Sequence, residues 1–556
     1  MDTISLDPRV EKRIQSWLDG PYDDKTKREI EHRLAADPQS LADAFFKDLS
    51  FGTGGMRGIM GIGTNRMNEY TVRAATQGLA NYLKRWPKNH SVFIGYDVRH
   101  RSREFAEQTA LVLSGNGIRA LVSKEVCPTP LVSFACRHFG CSAGVMITAS
   151  HNPPQYNGYK VYWSDGAQIV SPHDRGIMDE TAKIQSPKQI SIGFHFDEIG
   201  SELDAAYLAI LKKGQLLPAM PLKIIYSNLH GTGIRLIPNA LKVWGYTDLS
   251  LVEKQRPLDG NFSFAATPNP EEARALEMGC GQLVKEKGDL LMATDPDADR
   301  IGVAVLHKGK PVLLTGNQVA CLCLYHICTA KPIPPNAVFV KTIVTTELFK
   351  KMAEYFGSRC IDVLTGFKYI GEQIRLMENT SFQFLFGAEE SYGYLMGDFV
   401  RDKDAVSSAC LIAEAAAIAK SQNRTLIDLL HRIYREFGLH RERLKTIAFN
   451  DSEAGMEQMA SLMRNLRENP PSHINGQKIL IEDYLTQSSQ KLPRSDVIRF
   501  WLADGSKLVI RPSGTEPKVK IYAEVVGKAD NEIESAISAC DERLHALVKN
   551  FEELFS

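Results

Sequence analysis

Two stretches of the chain carry residues whose types and spacing could do chemistry. Asp295-Pro296-Asp297-Ala298-Asp299-Arg300 sets three carboxylates at alternate positions of a tight loop, where they can point at one centre. Hard oxygen ligands of that charge suit Mg²⁺ or Ca²⁺. An EF-hand would need glycine at the sixth loop position and glutamate at the twelfth, where Arg300 and Leu306 stand instead. Arg300 points to a phosphate beside the metal. The plain alternative is a solvated acidic turn, although three like charges this close repel unless a cation is present. Thr148-Ala149-Ser150-His151-Asn152-Pro153 follows an apolar run, so Ser150 falls at the carboxyl end of a strand, where α/β folds place ligands. A serine there can act as nucleophile or phosphoryl carrier. It can equally close a turn by bonding only backbone.

Two further loops bear polar groups in patterns that fit sugars and phosphates. Phe386-Gly387-Ala388-Glu389-Glu390-Ser391-Tyr392-Gly393 offers glutamate and serine to paired hydroxyls, or opens a helix with acidic residues in its first turn. Arg511-Pro512-Ser513-Gly514-Thr515-Glu516-Pro517-Lys518 combines arginine, two hydroxyls and a glycine-containing turn, either a phosphate cradle or an ordinary polar turn. The glycine-rich run Phe51 to Gly58 carries Arg57 but matches neither GxGxxG nor GxxxxGK[ST], and Asn157-Gly158-Tyr159-Lys160 could bring an amine to Ser150.

The elements around these loops repeat. After a helical start (Val10 to Leu18, then Lys25 to Ala35), strand–helix–strand patterns begin near Ser91, Leu222 and Ala337, which predicts three similar α/β units. Ala143 to Ile147, Asp289 to Ala293 and Phe382 to Phe386 read as the strands that lead into the first three loops. The last part differs. Val497 to Leu502 and Lys507 to Ile510 flank Asp504-Gly505 as a hairpin, Val519 to Val525 adds a strand, and Asn531 to Phe551 closes as a helix. This is an α+β module with an antiparallel sheet. The expected domains are 1–212, 213–315, 316–438 and 439–556.

Composition narrows the partners. The 556 residues hold 66 basic and 66 acidic side chains, a balance that argues against nucleic acid or a membrane surface. Ala405 to Ala419 is too short and too polar to span a bilayer and reads as a buried helix. The opening Met1 to Ser5 lacks the basic and apolar regions of a secretory signal. Ten scattered cysteines without a CxxC pair predict reduced core thiols and a cytoplasmic setting.

Together, TASHNP, DPDADR, GAEESYG and RPSGTEPK, in this order and at these spacings, resemble the α-D-phosphohexomutase family. The likeness runs from the FGTGGMRG loop to the final sheet. The GTGGMRG and GAEESYG variants are most similar to the branch that includes phosphopentomutases and sugar-bisphosphate synthases. Ala388 stands where the commoner GEES form has glycine. The resemblance implies three α/β domains with mixed sheets and a C-terminal antiparallel α+β domain around a central cleft. It implies Ser150 as the phosphoserine, with Asp295, Asp297, Asp299 and a Ser150 phosphate oxygen as Mg²⁺ ligands. Glu389 and Ser391 then contact sugar hydroxyls, and Arg511, Ser513, Gly514 and Thr515 hold the phosphate that is not reacting. Arg57, Lys160, Lys368 and Arg300 supply positive charge, with Lys160 first and His151 second for proton transfer. The implied reaction interconverts glucose 1-phosphate and glucose 6-phosphate through glucose 1,6-bisphosphate. The same scaffold also serves phosphopentomutase, phosphomannomutase or bisphosphate synthase chemistry. The expected partners are small-molecule sugar phosphates, and the balanced charge favours a monomer.

Overall fold

Apolar runs without polar alternation become strands covered on both faces. Ala143–Ile147 and Leu290–Thr294 are such strands, buried along their whole length. The computed structural model describes residues 6–49, 55–450, 453–486, 492–513, 517–529 and 532–553.

The first sheet has the spatial order Gly55–Ile59, Tyr156–Trp163, Ala143–Ile147, Ser91–Tyr96, Arg119–Ser123, Asp197–Ile199. The last four run parallel, and Tyr156–Trp163 runs against both of its neighbours. The second sheet is ordered Lys310–Leu314, Ile301–His307, Leu290–Thr294, Ile224–Ser227, Leu249–Leu251. The third is ordered Arg359–Val363, Ala337–Thr342, Gln383–Glu389, Gly393–Met396.

One topology underlies all three. A first strand takes a parallel neighbour on one side and another on the other, and the chain then turns back antiparallel. That last turn comprises residues 148–155, 295–300 and 390–392, and in each unit it is a loop that the sequence singles out. The third strand reaches Glu389, beyond the expected end at Phe386, because Gly387 to Glu389 pair with Gly393 to Leu395. Glu389 is therefore a strand residue at the mouth of the turn.

The last sheet is antiparallel throughout, in the order Leu439–Ala448, Lys518–Gly527, Lys507–Pro512, Ile498–Leu502, Gln477–Asp483, His473–Ile474. The closing helix is Ile533–Glu552.

Side chains from the first three units share one continuous core, from Phe93 through Trp244 to Phe437, which Leu439, Ile533 and Cys540 of the last unit join; the last sheet and its helices also build a core of their own around Phe500, Ile521 and Phe551. The helix Ala405–Ser421 is buried as expected and starts at Asp404, whose carboxylate accepts the Val406 and Ser407 amides. The N-terminal helices Pro8–Asp19, Asp24–Ala36 and Pro38–Phe45 are each capped by an aspartate and pack around Trp17 and Phe45. All ten cysteines are free and eight are buried. Among the described residues no helix is long and apolar enough to cross a membrane.

Candidate active site

The Ser150 loop is held from beneath. The Ser150 amide donates to Thr148 Oγ1 at 2.8 Å, and that hydroxyl donates to Asp97 at 2.7 Å. Ser150 adopts φ +51°, a left-handed conformation that a non-glycine residue keeps only under constraint. Gly158 sits directly behind, where a Cβ would lie 2.4 Å from the Thr148 carbonyl oxygen, so no other residue fits that strand pairing. The result aims Ser150 Oγ across the cleft at Asp295 Oδ2, 2.6 Å away, with His151 Nδ1 at 3.2 Å on its other side.

The acidic loop of the second unit supplies the cluster. One oxygen each of Asp295, Asp297 and Asp299 lies within 4.8 Å of the others, and all three residues are buried. Asp295 Oδ1 accepts the amides of Asp299 and Arg300, which closes the loop on itself. Asp297 is tied to the first unit: Thr129 donates its amide to the Asp297 carbonyl and its hydroxyl to Oδ2, both at 2.8 Å. Lys160 Nζ bridges Asp297 Oδ2 at 2.8 Å and Asp299 Oδ2 at 3.3 Å. Lys403 of the third unit reaches Asp299 Oδ2 at 3.2 Å.

Charge follows from this packing. Burial and the neighbouring aspartates push the Asp295 carboxyl well above its usual range. Burial opposes ionisation of Asp297 too, but Lys160 and the hydrogen bonds of Asp295 and Thr129 together hold that carboxylate far below its usual range. For Lys160, burial works against the charge, and Asp297 and Asp299 more than restore it. Burial, Arg300 and Arg57 push the His151 imidazole the other way, well below its usual range. Of the two residues expected for proton transfer, His151 lies against Ser150 Oγ and Lys160 against the aspartates.

The cluster fits a hard divalent cation. Asp297 Oδ1 and Asp299 Oδ1 are buried and lack a hydrogen-bond partner, a costly state for a carboxylate unless an ion takes them. All the donors are oxygens, which suits Mg²⁺ chemistry rather than zinc.

The third unit's turn is stitched to the second. Gly393 forms a bridge with Arg300, and the Ile301 amide donates to the Tyr392 carbonyl at 3.1 Å. Ser391 lies half-buried in this turn. Glu389 Oε1 accepts the Gly366 amide at 2.9 Å, whereas Lys368 has Asp174 and Glu372 as its charged neighbours, and burial lowers its ammonium's pKa. Burial and Glu389 raise the Glu390 carboxyl to about 7. Arg300 forms an ion pair with Glu271, and Arg57 Nη1 donates to Asn152 Oδ1 at 2.9 Å. In the last unit, Arg511 is half-buried and hydrogen-bonds the Tyr522 hydroxyl, and the Ser513 amide donates to the Lys518 carbonyl at 2.7 Å. Gly514 and Thr515 lie outside the described residues.

Sequence reasoning did not single out Arg99, Thr129, Glu271 or Lys403. The available signal was position. Arg99 follows an apolar strand at its carboxyl end, and Lys403 stands in Arg401-Asp402-Lys403-Asp404 between an apolar strand and an apolar helix. Charges there have no solvent to face.

The chain matches four domain families described as phosphoglucomutase/phosphomannomutase. These are alpha/beta/alpha domain I at residues 48–188, domain II at 205–309, domain III at 315–437 and the C-terminal domain at 450–535. The chain belongs to the phosphoglucomutase/phosphomannomutase family. It is a phosphosugar mutase, an isomerase that moves a phosphoryl group within its substrate. The phosphoglucomutase of Staphylococcus haemolyticus is 38% identical over 498 residues, covering 86% of this chain and 90% of that one. That of Staphylococcus aureus strain MSSA476 is 35% identical over 548 residues, covering 94% and 97%. Two solved structures share the fold. The phosphoglucomutase pp63/parafusin from Paramecium has a TM-score of 0.68 at 19% identity and covers 91% of this chain and 95% of that one. A phosphoglucomutase/phosphomannomutase family protein from Burkholderia thailandensis has a TM-score of 0.65 at 18% identity, covering 90% and 97%. The family's four-domain architecture is the one described above, three mixed-sheet units and an antiparallel C-terminal domain.

Proposed function

We propose that this chain interconverts glucose 1-phosphate and glucose 6-phosphate, with Ser150 as phosphoryl carrier and glucose 1,6-bisphosphate as intermediate. The observation that carries the reading is the 2.6 Å approach of Ser150 Oγ to the buried aspartate cluster, two loops from different units meeting at one hydroxyl. The phosphoryl group on Ser150 passes to the free hydroxyl of a sugar monophosphate: the P–Oγ bond breaks, a P–O bond to the sugar forms, and the hydroxyl proton goes to a base, for which His151 is the candidate. The bisphosphate turns by about half a rotation in the cleft. Ser150 Oγ then takes the other phosphoryl group, and the proton returns to the sugar oxygen that loses it. Asp295, Asp297, Asp299 and a Ser150 phosphate oxygen would hold Mg²⁺, whose charge stabilises the phosphoryl group in transfer. Lys160 and Arg300 add fixed positive charge, Glu389 and Ser391 orient the sugar hydroxyls, and Arg511 with the Ser513 turn anchors the idle phosphate.

The test is a coupled assay with glucose 1-phosphate, ribose 1-phosphate and mannose 1-phosphate in parallel, with intact mass of the same protein. We expect the highest kcat/KM for glucose 1-phosphate and one phosphate on the active enzyme. Preference for ribose 1-phosphate would reassign the substrate, and release of bisphosphate as the main product would make the protein a synthase.

A further inference from the structure

Arg99 is a fully buried arginine whose guanidinium serves one loop. Nη1 donates to the carbonyls of Pro153 at 2.8 Å and Tyr156 at 3.0 Å, and Nη2 donates to those of Ser150 and Asn152. The side chain enters from the end of the strand Ser91–Tyr96, braced by Asp97 at 3.2 Å, and its outer side lies 5.1 Å from the Phe262 ring of the second unit. Residues 150–155 lie outside any strand and the Ser150 carbonyl is buried, so the guanidinium supplies partners that no ladder gives this loop. A planar fork can reach all four at once, and an ammonium of similar length cannot.

The same Asp97 accepts from Thr148, whose hydroxyl in turn accepts the Ser150 amide. Ser150 is thus fixed on both sides of its peptide: the amide through Thr148 to Asp97, the carbonyl through Arg99 to Asp97. This is a closed frame around a residue with a left-handed backbone. Other arginines near the cleft face differently. Arg300 pairs with Glu271 and Arg57 donates to the Asn152 side chain, so these contacts are with side chains and not with the backbone of this loop.

We infer that Arg99 is the positioning residue of the carrier loop: it sets where Ser150 Oγ points without touching substrate, and Phe262 registers the second unit against it. The inference rests on Ser150 as carrier and adds which residue aims it. Phosphoryl transfer depends on in-line alignment, so a small error in aim costs rate and not binding.

The experiment uses Arg99→Lys in the full-length enzyme, with steady-state kinetics on glucose 1-phosphate, thermal unfolding, and single-turnover phosphorylation of the dephosphorylated protein by glucose 1,6-bisphosphate followed by intact mass. We expect kcat to fall on the order of 100-fold with KM within about twofold of wild type. The single-turnover phosphorylation rate should fall in parallel. Phe262→Leu, which leaves every hydrogen bond of the frame in place, keeps the question open to test if Arg99→Lys does not fold, and should show the same split at smaller size. An unchanged phosphorylation rate in a folded Arg99→Lys, or a rise in KM that accounts for the loss, overturns the assignment. If neither variant shows the split, it is likewise overturned. Wild type carrying no phosphate on Ser150 would instead remove the carrier reading itself, so the two failures are distinguishable.

Discussion

The turn at 148–155 and the turn at 295–300 hold the same place in two units of the same topology, yet they are stabilised in opposite ways. The first is an open loop, three of whose carbonyls accept from one buried guanidinium of its own unit. The second is tight, closed by its own Asp295, and its remaining charges are answered from outside by Thr129, Lys160 and Lys403. A carrier needs a fixed direction for one neutral hydroxyl, which internal bracing supplies. A cation site needs several buried carboxylates in one place, and their repulsion is tolerable only when other units bring opposite charge. The topology sets where a site can form, and the side chains decide what it does.

Ser150→Ala tests the first half of this contrast and has the largest expected effect. Turnover should drop by about three orders of magnitude or more while the protein still folds, the lost hydrogen bond to Asp295 lowering the thermal midpoint only modestly. A residual rate near wild type removes Ser150 from the chemistry. Asp297→Asn tests the second half, and should cost both activity and stability. It removes a cation ligand and weakens the buried pair with Lys160, at about 2–3 kcal/mol since Asp299 still holds the lysine. EDTA should inhibit the wild type and Mg²⁺ should restore it. An Asp297→Asn protein that melts like wild type and ignores chelation contradicts the account of this loop.

Arg511→Lys moves the comparison to the separate fourth unit. Loss of a bidentate phosphate contact should cost on the order of 1.5–3 kcal/mol in kcat/KM, seen mainly as a higher KM, with Ser150 still phosphorylated. An unchanged KM detaches this loop from the site. The smallest effect is expected from Gly231→Ala, which alters no ligand. The Gly231 turn presses on the acidic loop, where a Cβ would lie 2.5 Å from Pro296 Cα, and the Thr232 amide donates to the Pro296 carbonyl at 2.8 Å. Mn²⁺ affinity measured by electron paramagnetic resonance should weaken by about tenfold. Unaltered affinity would show that the loop keeps its shape without that support.

Much of this was legible in the sequence, for physical reasons. Continuous apolar runs marked the strands and the loops at their carboxyl ends. Ser150 read locally as carrier or plain turn and was named through the four motifs taken together, whereas the three aspartates could be named from local pattern. Lys403 and Thr129 could not, because they act on Asp299 and Asp297 from other units and nothing local marks the encounter. Arg99 was hidden for another reason: four of its partners are carbonyls, which every residue has. The extra length of the strand ending at Glu389 comes from cross-strand pairing with Gly393 to Leu395, again a tertiary effect.

The shared core described above also bears on how such a molecule can change over time. Because the first three units bury their side chains in one another, none can be exchanged for a foreign counterpart without leaving the other two unpacked. Point changes in the loops are open to them, and recombination is not. The last unit has its own core around Phe500 and Phe551, although Leu439, Ile533 and Cys540 join the shared one and Lys507 pairs with Glu347 of the third unit. With a core of its own, it is the part that descent could most readily exchange, at the cost of refitting those few contacts.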